Sequence, residues 1–367
     1  MSCAPPLPTL LLIPTGIGCA QGGYAGDGLP AARVLAAASG CLITHPNVMN
    51  AASLYWSDRR IQYVEGWALD RFAAAELALA PRPRQRIGVL LDRGIEPELM
   101  LRHRQVIDAC RASLGLTIGP VVTTDQALGV HLALGESGSS WGTIEQPGAL
   151  LRAGDQLVAA GATAIAVVAR FPDDPTSPAL AAYRSGGGVD ALAGAEAVIS
   201  HLLVRHLGLP CAHAPALQPL PPDPLLDPRA AAEELGHTFL PCVLVGLSRA
   251  PDLRPEPAQG TSLLHGDDLG AVVVPAGAMG GAAVLACAQR GIPLIAVANP
   301  CLLAVGADDL GLEVLPARSY AEAAGLVSAL REGLDPVGLS AGRPSDGGGW
   351  CPGPWPPADG TPPHRPC

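Results

Sequence analysis

The chain has no lysine: all 23 of its basic side chains are arginine. A Schiff-base lysine, a P-loop lysine and a kinase lysine are therefore excluded. There is no basic cluster either, and the net charge is -10, which argues against a nucleic-acid or anionic-membrane surface. Ten cysteines run from Cys3 to Cys367 without a single CxxC. In a chain of 367 residues that spread argues against a disulfide framework and for reduced thiols in a cytosol-like compartment. The apolar start, Met1 to Pro14, has no positive n-region and runs straight into a glycine loop, so it does not read as a secretory signal. No repeat of fixed period is found. Charged residues make up only 15% of the chain against 49% hydrophobic, a globular composition with enough apolar material for one large domain or two.

Leu269 to Gln289 carries no charge and is long enough to suggest a membrane span. Its internal pattern says otherwise. The β-branched run Ala271-Val272-Val273-Val274 is followed by a glycine turn, a short helical stretch and a second apolar run, Pro293–Val297. That is a buried βαβ unit. Similar apolar runs predict strands at Leu10–Ile13, Cys41–Thr44, Ile87–Leu91, Pro120–Thr123, Ala164–Ala169 and Cys242–Leu247, with a short edge strand at Ile61–Val64. Helical patterns fall between them, among them Trp67–Ala80, Glu96–Leu114 and Val189–His206. Such alternation predicts an α/β, Rossmann-like fold: a mostly parallel sheet, helices on both faces, and glycine-rich ligand loops at the strand C-terminal ends. The expected division is a main α/β domain over 1–250, a linker over 251–266, a C-terminal βαβ unit over 267–333 packing on the same site, and a disordered Gly/Pro-rich tail over 334–367.

In open parallel sheets ligands bind beyond the carboxyl ends of the strands. The first strand leads into the loop Pro14–Asp27, which holds Thr15, Gly16, Gly18, Gly22, Gly23 and Asp27. After the seventh come Gly277, Gly280 and Gly281. Backbone N–H groups at such helix starts attract anions. Arg170 and Arg249, each just past a predicted strand, are placed to clamp a carboxylate or phosphate. Asn47 joins them as a binding residue, and His45, Asp125 and Asp173 are the candidates for proton transfer. Tight strand–helix packing explains the glycines equally well. The spacing Gly16-x-Gly18-x-x-x-Gly22 departs from the dinucleotide fingerprint, and His45 stands where an acid is expected after the second strand, so no cofactor is assigned.

Gly138-Ser139-Ser140-Trp141-Gly142 matches G-x-S-x-G, which makes Ser140 a candidate nucleophile. Its flanks do not read as a strand leading directly into a helix, so a Ser/Gly ligand loop competes with that role. His201, His206, Cys211 and His213 are the densest metal-like group, but their spacing is loose and no metal is assigned.

Several long stretches resemble one family. They include Gly22-Gly23-Tyr24-Ala25-Gly26-Asp27, Thr44-His45-Pro46-Asn47-Val48-Met49-Asn50, Ala169-Arg170-Phe171-Pro172-Asp173-Asp174 and Pro210-Cys211-Ala212-His213-Ala214-Pro215. The family is a domain of unknown function found in cyanobacteria and in plastids of plants and algae. The resemblance covers roughly Leu10 to Leu330 and implies a cyanobacterial, cytoplasmic protein without an established activity. The resulting expectation is a protein that binds, and as an enzyme would transform, a small anionic metabolite (carboxylate, phosphate or nucleotide-like), without nucleic-acid or membrane partners and with homo-oligomerisation left open. The alternatives are a serine hydrolase acting through Ser140 and a non-catalytic ligand-binding or assembly protein of the photosynthetic cell.

Overall fold

The structure, a computed structural model, describes residues 4–50, 53, 57–234, 239–260 and 262–339. The chain begins with β1 (Leu7–Leu11), α1 (Leu29–Ser39), β2 (Gly40–Thr44), the single turn α2 (Pro46–Met49), β3 (Ile61–Tyr63), α3 (Gly66–Ala73) and β4 (Leu77–Ala80). The middle carries β5 (Ile87–Leu91), α4 (Pro97–Leu114), β6 (Ile118–Thr123), β7 (Val130–Leu134), β8 (Ser140–Ile144), α5 (Pro147–Ala159), β9 (Ala164–Arg170), α6 (Pro178–Arg184), α7 (Ala193–Leu207) and β10 (Cys211–Ala216). It closes with α8 (Pro228–Glu234), α9 (Leu240–Leu247), β11 (Asp252–Pro255), β12 (Ala271–Pro275), α10 (Ala282–Gln289), β13 (Leu294–Val297), α11 (Ala307–Leu310), β14 (Leu315–Ala317) and α12 (Tyr320–Arg331).

Six parallel strands lie in the order β3-β2-β1-β12-β13-β14. This is the 3-2-1-4-5-6 order of dinucleotide-binding folds, with residues 64–270 inserted between the third and fourth strands. Leu10 of β1 stands level with Ile43 of β2 and Val272 of β12. The strands of the expected C-terminal unit thus extend the sheet begun by the first residues of the chain. A second parallel sheet, β10-β9-β5-β6, is built wholly from the insertion.

Strands buried on both faces must be apolar at successive residues, and the side-chain alternation then feeds two cores. Leu11 and Val273 share one core with Leu35 of α1 and Val327 of α12. Leu10 and Val272 share the other with Phe72 of α3 and Val284 of α10. The second sheet divides the same way: Val89 packs with Ile107 and Leu244 of α4 and α9, and Leu90 with Leu150 and Ile199 of α5 and α7. Both cores run through both sheets, so the α/β, Rossmann-like expectation with helices on both faces is met.

The expected strand over 242–247 is instead the helix α9. Pro241 sits in its first turn, and Leu240, Cys242, Val243, Leu244 and Leu247 are buried between the second sheet and α4. Such a run reads as strand or helix alike, because both are apolar on every side. The helix expected over 67–80 stops at Ala73, and its last four residues form β4, which pairs with β11. The charge-free stretch over 269–289 is β12, a turn and α10. Among the described residues no helix is long and apolar enough to cross a membrane. From residue 340 onward the expected tail lies outside the described residues.

Candidate functional site

The C-terminal ends of β1 and β2 face those of β9 and β10 across a cleft of about 800 Å³. From the first sheet Thr15, His45, Asn47 and Asn50 line it, with Glu65 at the start of the insertion. Asp173, Tyr183, Asp190, Glu196, Ser200, His201, His213 and Glu233 come from the insertion. The hairpin β7–β8 adds His131 and Leu132.

His45 Nε2 accepts a hydrogen bond from the Ile13 backbone N–H at 3.1 Å. Loss of hydration holds this imidazole down to about 4, so at neutral pH it is uncharged. With the Nε2 lone pair occupied, the ring offers only an Nδ1–H donor. Asn47 ties the glycine loop down, its side-chain amide donating to Gly22 O at 3.1 Å.

Carboxyl groups dominate the rest. Glu65 caps α3 with Oε2, accepting from the Trp67 and Ala68 N–H groups, while its buried Oε1 lies 3.0 Å from His201 Nε2. Glu196 and Ser200, one turn apart on α7, both reach His213: Glu196 Oε2 is 3.3 Å from Nε2, and the Ser200 hydroxyl bonds Nδ1. Burial works against a charged His213, but the neighbouring Glu196 carboxylate outweighs it and lifts the ring above its ordinary value. Asp190 is pushed up to about 7 by burial and by Glu196. Glu233 is pushed up to about 8 by burial and by Asp190. Its carboxylate accepts from the Tyr183 hydroxyl at 2.8 Å and from the Ala25 N–H of the glycine loop. Neither Asp190 nor Glu233 forms an ion pair with an arginine among the described residues.

The residues singled out from sequence divide into those at the cleft and those away from it. Thr15, His45, Asn47 and Asp173 line it. Gly16, Gly18, Gly22, Gly23 and Asp27 form the adjoining loop, whose donors face inward: Asp27 accepts from Gly22 N–H at 2.9 Å and Tyr24 N–H at 3.1 Å, and Asn299 accepts from Gln21 N–H at 3.0 Å. Gly277, Gly280 and Gly281 pack on the segment 301–305 and on Val284, and the N-terminus of α10 behind them is met by Asp70, which accepts from Ala283 N–H at 3.1 Å. Arg170 is engaged by Glu96 at 2.8 Å and Asp173 at 2.6 Å and lines not the main cleft but a smaller hollow next to it. Arg249 follows a helix rather than a strand and donates to Ser57 Oγ at 2.6 Å on an exposed surface. Asp125 pairs with Arg152, also exposed. Ser140 opens β8 in an antiparallel hairpin, and its Oγ accepts from Gly194 N–H at 3.2 Å. The strand–turn–helix setting of a nucleophile elbow is not found there. Among the described residues no three His, Cys, Asp or Glu side chains are placed to hold one metal ion.

Of the cleft residues that sequence reasoning passed over, Ser200 had a signal in its four-residue spacing from Glu196 next to His201. Glu65, two residues past the edge strand, had a weaker one. Glu233 had none, because its partners Ala25 and Tyr183 meet it only through the topology.

Fold and cleft together define a Rossmann-like α/β protein with a large ligand-sized cleft between two parallel sheets. The chain belongs to the family described as "Protein of unknown function (DUF3326)", whose model matches residues 8–340. It is 57% identical over 337 residues to a protein of Synechococcus sp. named as an uncharacterized lipoprotein, covering 92% of this chain and 94% of that protein. No solved structure gives a significant match. The lipoprotein name of that relative corrects two expectations drawn from sequence, a cytoplasmic location and the absence of any membrane partner.

Proposed function

We propose that the cleft binds a small ligand through a cationic or hydrogen-bond-donating group held by Asp190, Glu196 and Glu233. The observation that carries this reading is the pair of half-buried carboxyls, Asp190 and Glu233, raised to about 7 and about 8 and paired with no arginine among the described residues, the cleft's Arg184 being engaged by Glu234. A ligand cation supplies the missing countercharge. The anionic metabolite expected from the glycine loops has less support, since Asp27, Glu233, Asn299 and Asp70 already engage donors it would use. Should turnover accompany binding, His213, positioned by Ser200 and Glu196, is the group for proton transfer, because the lone pair of His45 is taken. The serine-hydrolase alternative is weakened by the hairpin setting of Ser140. Plastid relatives, implied by the motif resemblance, would carry the same cleft into plants and algae.

Calorimetric titration at pH 7 tests the ligand class, with putrescine, agmatine and spermidine set against citrate and phosphate. An amine is expected to bind and to release protons, seen as a dependence of the heat on the buffer, because the cation draws Asp190 and Glu233 into their charged forms. Asp190→Asn with Glu233→Gln is expected to weaken binding about tenfold or more, the loss of one or two charge-assisted contacts. Binding of citrate or phosphate with all three amines silent would return the site to anions.

We also infer, from the name of the Synechococcus relative, that the chain associates with a membrane. Attachment through Cys19 is disfavoured, since making Cys19 a new N-terminus would remove β1 from the middle of its sheet. In fractionated cells the chain is expected to sediment with membranes and to be released by detergent. Full recovery in the high-speed supernatant would overturn this reading.

A further inference from the structure

Cys19, in the loop after β1, and Cys301, in the loop after β13, lie with their sulfur atoms 3.2 Å apart. The two loops form a single antiparallel bridge at this pair, above the C-terminal ends of the six-stranded sheet. Ala20 N–H donates to Pro300 O at 2.8 Å and Leu302 N–H to Gly18 O at 3.2 Å. Those bonds flank the pair, so Cys19 and Cys301 occupy a non-hydrogen-bonded position, where facing side chains come closest, with Cα atoms about 4.5 Å apart. A disulfide accepts Cα separations from about 4.4 Å upward. Gly277 stands beside Cys301, its absent Cβ 3.5 Å from the sulfur, so residue 277 puts no side chain against the thiol.

We propose that Cys19 and Cys301 form a reversible disulfide that clips the glycine loop to the loop after β13. Their exposures set the order of events. Cys19 is 3% exposed, whereas Cys301 is partly open beside Leu302, itself 58% exposed. The hydrogen bond from Cys19 holds Cys301 below the ordinary thiol range, and the same contact together with burial raises Cys19. Cys301 is therefore the attacking thiolate and Cys19 the resolving thiol. The co-reactant is a small disulfide, R–S–S–R. The Cys301 thiolate bonds to one of its sulfurs and expels the first R–S⁻. Cys19 loses its proton, bonds to the Cys301 sulfur and expels the second. The protein gives up two electrons and two protons, and R–S–S–R leaves as two thiols. The clip bears on the cleft, because the loop it fixes supplies Thr15 and the Ala25 N–H that bonds Glu233.

The full chain is treated with oxidised glutathione, alkylated with iodoacetamide and mapped as tryptic peptides. The expected product is a cross-linked Cys19–Cys301 pair, two hydrogens lighter and reversed by dithiothreitol. The melting temperature is expected to rise by about 5 °C or more, since the bond closes residues 19–301 into one very long ring. Cys19→Ser is expected to stop at a glutathione adduct on Cys301, and Cys301→Ser to take up none at Cys19. In the wild type, quenching at early times is expected to trap the Cys301 adduct first, which keeps the order testable if a variant does not fold. Recovery of both peptides separately alkylated after oxidation of the folded protein would overturn the proposal, as would a first adduct on Cys19.

Discussion

The ligand-free protein is expected to melt at progressively lower temperature as the pH is raised from 5 to 8. Asp190 moves from an ordinary 3.8 to about 7 on folding, and Glu233 from 4.5 to about 8. An acid with a raised pKa keeps its proton in the folded chain at pH values where the unfolded chain has lost it. Its stability is complete below the unfolded value and drains away as pH climbs through the folded one. His201 and His213, both raised, act in the same direction: what they contribute is present below their unfolded value and is lost as pH rises through the folded one. His45, lowered to about 4, opposes the two acids only between about 4 and 6.5, one proton against two. A tenfold change in proton affinity on folding is worth about 1.4 kcal/mol, and because both acids open onto the cleft and share one field, the expected loss is about 3 kcal/mol in all. Asp190→Asn with Glu233→Gln is expected to flatten the profile. A wild-type melting temperature that holds steady or climbs over this range would mean that neither acid retains its proton, and the electrostatic account of the cleft would fail.

Gly194→Val is expected to destabilise the protein by about 3 kcal/mol, at the upper end of ordinary overpacking. A Cβ at Gly194 would lie 2.3 Å from Trp141 Cα and 2.5 Å from Ser140 O, both backbone atoms of β8 that cannot swing aside. Gly142 makes the reciprocal approach, its absent Cβ 2.4 Å from Ala195 Cβ. Hairpin and helix thus touch backbone to backbone, and only glycine permits it. Since the hairpin brings His131 and Leu132 to the cleft, ligand binding should fall with stability. Gly325→Ala on α12 is the contrasting case. The added Cβ meets nothing within 4 Å, and a gain of about 0.5–1 kcal/mol is expected from helix propensity. Urea midpoints measure both changes. An unchanged midpoint for Gly194→Val would mean that the hairpin is not held by this contact.

Much of the fold was legible because parallel strands buried on both faces leave a plain mark. Ala164–Ala169, Ala271–Pro275 and Ile87–Leu91 are uninterrupted apolar runs that only an interior sheet accommodates. The same mark misled at α9, where burial on all sides erased the helical period. Strand order was not legible at all. That β12 lies beside β1 depends on cores assembled across the whole chain. The site suffered most from this gap. His45, Asn47, Thr15 and Asp173 follow directly from the rule that ligands sit at strand ends. Arg170, Arg249 and Asp125 obeyed a similar sequence logic, yet their side chains are spent on Glu96, Ser57 and Arg152. Backbone donors in the glycine loop looked free from sequence because the groups that satisfy them, Asp27 apart, are Glu233 and Asn299 of remote segments.

The seat of β1 between β2 and β12 also governs how the chain can be made. A ribosome delivers β1 first and its neighbour β12 only after residues 64–270 have emerged. Until then β1 presents one unpaired apolar edge, a template for pairing with the wrong chain. The second sheet needs nothing from outside the insertion for its strand pairing and is free to form while β1 waits. Folding therefore ends with β1 and β12 meeting, a closure of very long sequence separation and correspondingly slow onset. Chains cut short before β12 would carry that open edge permanently and are fated for aggregation rather than for a smaller working protein.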